Sequence, residues 1–235
     1  MKHFILFIAV LMFVGCGTYK TTFSTNVTSF HSMGSGNNPS AITGKTFDVA
    51  HPDKRSNDSL EFASYKKMIV RRLESRGLKL DTKSPELLVV VNYHISGGKE
   101  KVGSRPVFGQ TGGGRSTFSG NTYGSGGSGN FSGSTYSAPT YGVVGSRAYS
   151  YTVFTRKLDI EIIDRESLKA DSQKKIYEAK AISTGSSGEL ARVLPYMIES
   201  VFREFPAKNG QSRSADIKEG ELVEQIEQKA EEGEK

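Results

Sequence analysis

The chain has 235 residues, 31 basic and 25 acidic side chains for a formal charge of +6, 36% hydrophobic residues, 26 glycines, no tryptophan and one cysteine. An apolar share below the roughly 45% of a fully packed chain allows one modest domain with unfolded additions. A single cysteine excludes an internal disulfide, a cysteine-based zinc site and a CxxC redox pair.

After Lys2, eleven apolar residues run from Phe4 to Val14 and end at Gly15, Cys16 and Gly17. Eleven residues of helix span roughly 16 Å, about half of the hydrocarbon thickness, so residues 1–15 read as a cleaved secretory signal and not as a membrane span. Phe13-Val14-Gly15-Cys16 resembles the bacterial lipobox, departing from it only at Phe13, where leucine is usual. That resemblance implies a diacylglycerol on the Cys16 thiol, cleavage before it and acylation of the new amino terminus. Several acyl chains at about 0.8 kcal/mol per buried methylene give durable attachment. Gly17 is not the aspartate that resembles an inner-membrane retention signal. The expectation is therefore a lipid anchor in the outer membrane, with the domain facing the periplasm.

Residues 16–40 read as a lipidated, polar linker or first strand, and 41–210 as one domain. Gly44 to Ala50 reads as a short strand, and Pro52 to Asn57 as a turn. Asp58 with Glu61 fits a capping box for a helix carrying Phe62, Tyr65, Ile69 and Leu73 on one face and stopping at Gly77. Arg71, Arg72 and Arg76 suit that helix's C-terminal end. Leu87 to Ile95 is a continuous apolar run, which predicts a central strand buried on both faces. Phe154, Leu158, Ile160 and Ile162 alternate with Asp159 and Glu161, a half-exposed strand predicted to form a hairpin with Lys175 to Thr184. Ser186 with Glu189 suggests a second capping box, before a helix bearing Leu190, Leu194, Met197, Ile198, Val201, Phe202 and Phe205 and ending before Pro206. Pro195 either kinks this helix or sits in its first turn. The expected fold is α+β, a small and mostly antiparallel sheet with two amphipathic helices on one face.

The insertion from Gly97 to Ala148 holds 15 glycines, nine serines and a single acid, Glu100. Its chain entropy exceeds what its apolar area can offset, so it is expected to be a flexible loop. Phe108, Phe118, Tyr123, Phe131, Tyr136 and Tyr141 recur through it beside Arg105, Arg115 and Arg147. Of these, Phe118, Tyr123, Phe131, Tyr136, Tyr141 and Arg115 are the candidate contacts for an envelope protein, a cell-wall polymer or another copy of the segment. Residues 211–235 read as an acidic tail. From Asp216 onward eight acids and three lysines give it −5, leaving the rest of the precursor at +11.

The stretch Tyr151 to Ile160, Gly185-Ser186-Ser187-Gly188-Glu189-Leu190, Leu194-Pro195-Tyr196 and Phe202-Arg203-Glu204-Phe205-Pro206 are similar, in that order, to a bacterial lipoprotein family catalogued as domain of unknown function 4136. Lys45-Thr46-Phe47 adds to the resemblance, which runs from about Thr22 to Gly210. It implies an envelope lipoprotein with a compact α+β domain, and it supplies no catalytic residues.

Chemistry finds few footholds. The histidines are His3, His31, His51 and His94, none of them in a recognised motif. Gly185-Ser186-Ser187-Gly188 is not GxSxG, and Gly124 to Gly129 matches GxGxxG only within low-complexity sequence. No metal-ligand spacing appears, so neither a metal nor a cofactor is expected. The pI near 9.2 would suit nucleic acid, but a periplasmic location points instead to anionic lipid or wall polymers. The expected role is a non-enzymatic binding or structural component of the envelope. The alternatives are an enzyme acting on envelope lipid or glycan through His94 or an acid near the loop base, and self-assembly through the loop.

Overall fold

The structure is a computed structural model that describes residues 21–33, 42–170 and 173–221. The signal segment and Cys16 lie outside the described residues. Strand order in the main sheet is β3-β2-β4-β6-β7-β1-β8, with β5 paired to β6 off this path, eight strands in all. The strands are β1 (Thr22–His31), β2 (Thr46–Ala50), β3 (Lys79–Leu80), β4 (Leu87–Ile95), β5 (Lys99–Gly124), β6 (Gly127–Asp164), β7 (Lys175–Gly185) and β8 (Ser212–Lys218). The helices are α1 (Leu60–Glu74) and α2 (Leu190–Phe202).

This corrects the expected fold class. Among the described residues 57% are strand and 20% helix, and the sheet is large and mixed, not small and mostly antiparallel. β2 runs parallel to both β3 and β4, while β4-β6, β6-β7, β7-β1 and β1-β8 are antiparallel. Three segments account for the difference. The predicted loop forms β5 and most of β6. The polar residues 22–31 alternate Phe23, Thr25, Val27 and Ser29 inward, which makes them β1. Ser212–Lys218, expected to belong to the tail, is edge strand β8, with Ala215 and Ile217 buried and its register set against β1. β8 is mostly polar because only one of its faces is covered.

The described residues divide into two compact units, one of those before Lys99 and after Val153, the other of 99–153. In the first, one face of the sheet carries the core. Phe47, Val49, Leu87, Val89, Val91, Leu158, Ile160, Ile162, Tyr177, Ala179 and Ala181 meet Phe62, Tyr65, Ile69 and Leu73 of α1 and Val193, Leu194, Met197, Ile198, Val201 and Phe202 of α2. β4 is therefore covered on this face alone. Leu88 and Val90 on its other side are only half-buried, so the continuous apolar run overstated its burial.

Helix boundaries differ from the sequence reading, and α2 ends at Phe202, short of the expected Phe205. Ser59, not Asp58, caps α1: its Oγ accepts the Phe62 N–H at 3.1 Å, because Asp58 closes the preceding 3-10 turn, Lys54–Asp58. The Ser186 box does not form. Glu189 occupies the cap of α2 without a side-chain hydrogen bond, and Pro195 falls inside the helix, past its first turn. Gly77 does stop α1, at φ +86°, and a Cβ there would lie 3.0 Å from Thr43 Cγ2. Gly77→Ala is expected to cost about 1–2 kcal/mol in urea denaturation, from the left-handed backbone and this contact together.

The arginines of α1 are largely internal ties. Arg72 pairs with Glu199 of α2, and Arg76 Nη2 donates to the Phe202 carbonyl at 3.0 Å. Arg213 of β8 donates to the carbonyls of Ser200 and Val201 at 2.6 and 3.2 Å, so cations satisfy the C-terminal end of α2. The described start of the acidic segment also folds back on α2, through Arg192–Glu219 at 3.0 Å and Arg203–Glu221 at 2.6 Å.

Candidate interaction surface

Residues 99–153 form an antiparallel ribbon from Lys99↔Val153 to the tip at Gly124↔Gly127. The glycine-rich sequence that reads as a loop is thus strand, and the reason lies in cross-strand pairs. Phe118 faces Gly133, and Phe131 faces Gly120. A Cβ on either glycine would come within 2.6 Å of the opposing ring, so each ring lies over a position that only glycine leaves open. Tyr149 covers Gly103 in the same way. At Gly113, φ is +73° and a Cβ would meet the Ala138 carbonyl oxygen at 2.2 Å, so the bulge there requires glycine.

From Lys99 to Thr152 no side chain is buried, and only seven glycines are even half-covered. The register places the candidate residues on definite faces. Phe118 and Phe131, 54% and 52% exposed, share one face. Tyr123, Tyr136 and Arg115 share the other, with Arg115 directly opposite Tyr136. Tyr141, opposite Gln110, lies beyond the bulges between Gln110 and Gly114. The ribbon therefore gathers five of the six contact candidates near its tip, divided between its two faces. Sequence reading named Arg105 and Arg147 but missed their grouping with Tyr149 and Tyr151 at the base. The Arg105 guanidinium sits over the Tyr149 ring at 4.6 Å, Tyr149 and Tyr151 stack at 5.9 Å, and Arg147 lies opposite Arg105. Residue spacing alone could not join Arg105 to Tyr149, 44 positions away, without the hairpin register.

The remaining candidates have other tasks. His31 Nδ1 accepts the Met33 N–H, which leaves Nε2 to donate to the Ala207 carbonyl at 3.1 Å. His51 packs edge-on against Phe62 and Tyr93, and its Nδ1 accepts the Asp53 N–H at 3.0 Å. His94 is exposed at the end of β4 opposite Lys157, and His3 lies outside the described residues. Asp159 and Glu161 line a shallow depression of about 680 Å³ on the open face of the sheet, with Phe30, Asn92 and Lys180, where Lys175 bridges Glu161 and Glu178 at 2.7 and 3.3 Å. No cluster of three metal-ligating side chains occurs among the described residues. No helix among them is long and apolar enough to cross a membrane.

Arg156 on β6 is 3% exposed, and burial lowers its pKa. It donates to the Ser187 carbonyl and packs against Gly185, but its Nε has no partner. A buried cation with one unmet donor contributes little beyond the packing of its stem. Arg156→Met is expected to match the parent or exceed it by about 1 kcal/mol, and Arg156→Ala to fall about 2 kcal/mol below it, in urea denaturation. A methionine variant as weak as the alanine one would show that the hydrogen bond to Ser187 outweighs the desolvation.

The family model described as "Domain of unknown function (DUF4136)" matches residues 36–207. The chain belongs to this family. No curated protein matches it. Among solved structures, a PDZ domain protein from Parabacteroides distasonis ATCC 8503 is similar at 14% identity and TM-score 0.44, over 88% of this chain and 41% of that one. A PelC dodecamer from Paraburkholderia phytofirmans is similar at 12% identity and TM-score 0.33, over 79% of this chain and 99% of that one.

Proposed function

We propose that this chain is a lipoprotein of the bacterial cell envelope, anchored by an acylated Cys16 in the outer membrane and facing the periplasm, where it serves as a binding or structural component and not as a catalyst. The observation that carries the binding role is the ribbon, whose aromatic and basic side chains stand on open surface. Catalytic sites and small-molecule sites are concave and enclosed, whereas such a surface is suited to contact with an extended partner. The cations at its base and the pI near 9.2 suit anionic material of the envelope. The anchor rests on the position of the single cysteine, directly after an apolar signal.

Two measurements test the reading. The first is the N-terminal mass and membrane fractionation of the native protein beside Cys16→Ser. An acylated Cys16 in the outer-membrane fraction, with the variant held as precursor, is expected; a soluble, unacylated chain removes the anchor. The second places a photo-crosslinking residue at Tyr123 or Phe131 in growing cells. Adducts to an envelope protein or polymer are expected, and an absence of adducts from both positions removes the contact role.

A further inference from the structure

We infer that the partner of the ribbon is a second copy of this chain, the free edge of β5 in one copy pairing with the free edge of β6 in the next. The inference rests on the contact role proposed for the ribbon, but not on the lipid anchor. Among the described residues β5 pairs with β6 alone, and residues 127–153 of β6 pair with β5 alone. Each strand thus carries a row of unpaired N–H and C=O groups along about 24 residues, roughly 80 Å at 3.3 Å per residue.

Exposed edges of this length recruit other strands, and proteins that keep them single place lysine, proline, bulges or inward charges along them. This ribbon has few such guards. No charged residue occurs from Ser116 to Ser146. The register shifts all lie below Gly114, leaving eleven regular pairs from Gly114↔Ser137 to Gly124↔Gly127 with neither bulge nor proline. A two-stranded ribbon with no buried side chain is marginal in water, so added strands stabilise it.

The ribbon's own pairing identifies the partner. Setting β5 of one copy beside β6 of the next continues the antiparallel alternation, so the junction can repeat the register already present within the hairpin. The same rings then meet the same glycines, and the uncharged tips do not repel although each chain carries +6. Such a junction is heterologous and adds further copies, as a ring where the rotation closes and as an open filament where it does not. A lipid surface fits less well, since hydrocarbon would leave both edges unpaired.

The test is the mass of the full-length protein, purified in detergent, by sedimentation and light scattering. Two variants accompany it. In one, residues 99–153 are replaced by Asn-Gly, joining Gly98 to Phe154. That joint is short, because Ser96 N–H donates to the Thr155 carbonyl at 2.9 Å and Thr155 N–H to Ser96 Oγ at 3.0 Å. The other is Thr117→Lys with Asn130→Lys, which puts one cation on each edge without opposing the two in the hairpin. The native chain is expected to be multimeric, the deletion single-copy with an unchanged melting temperature and circular dichroism of its helices, and the lysine variant at least tenfold weaker in association.

A native chain that stays single-copy at all concentrations, or a deletion that keeps the multimer, overturns the inference. So does a single-copy chain whose ribbon crosslinks only to a different envelope protein or binds phosphatidylglycerol vesicles, which would leave the proposed contact role standing. A multimer that persists when Cys16→Ser leaves the protein unanchored supports the inference while removing the anchor.

Discussion

Ile160→Ala is expected to cost about 4 kcal/mol of folding stability, whereas Phe118→Ala is expected to change it by no more than about 0.5 kcal/mol. Ile160 lies on β6 between Val91 of β4 and Ala179 of β7, and all three are buried against the helices. Truncation there removes three methyl-sized groups from the middle of a packed sheet and leaves a void that stiff Val91 and short Ala179 cannot close. Phe118 buries its ring only against Gly133 on an otherwise solvated ribbon, and 54% of it remains exposed. Urea denaturation of both variants measures the contrast. A loss of more than 2 kcal/mol on truncating Phe118 would show that the ribbon belongs to the cooperative core, and would argue against a surface reserved for contact.

The second large effect depends on pH. Glu199 of α2 is 3% exposed, its carboxylate held by Arg72 of α1 and, one turn further on, by Arg203. Burial pushes this carboxyl above the ordinary carboxylate range; the two arginines pull it only part of the way back, and Glu221 adds to the rise. A carboxyl whose folded pKa exceeds its unfolded one binds more protons in the native state. Its contribution to stability is therefore full below the ordinary carboxylate range and declines as pH rises through the folded value. Glu199→Gln abolishes that titration. The variant is expected to gain on the parent as pH rises from the ordinary carboxylate range, by about 1.4 kcal/mol for each unit by which the pKa is raised. Denaturation of both proteins over that rise in pH tests this. A difference that does not change with pH would mean that Arg72 and Arg203 fully offset the burial.

Where local rules and burial point the same way, the sequence was legible. The 3–4 spacing of Phe62, Tyr65, Ile69 and Leu73 named the buried face of α1, and all four are buried. The apolar run from Leu87 to Ile95 gave β4 to the residue, though not its half-open side. The pairing of β6 with β7 followed from alternation and a turn. The family followed from the order of soft motifs across the domain. The ribbon was misread because glycine and serine carry no apolar periodicity, and low complexity ordinarily means entropy that nothing offsets. Its signal is not periodicity but complementarity: Phe118 with Gly133 and Phe131 with Gly120 make sense only when the strands are set side by side.

By itself the sequence determined the two helices with their inward stripes, the alternating central strands, the aromatic and basic inventory of the ribbon, and the family. These are local properties, fixed by spacings of two, three and four residues and by turn chemistry. Only the tertiary structure decided that β2 joins β4 in parallel and that the polar segments 22–31 and 212–218 complete the sheet. It alone decided that a glycine-rich insertion is a ribbon with two free edges. Strand pairing is set by partners far away in the chain, Thr28 with Ser212 or Lys99 with Val153, and hydrogen bonds between backbones leave no mark in the side chains that a single sequence displays.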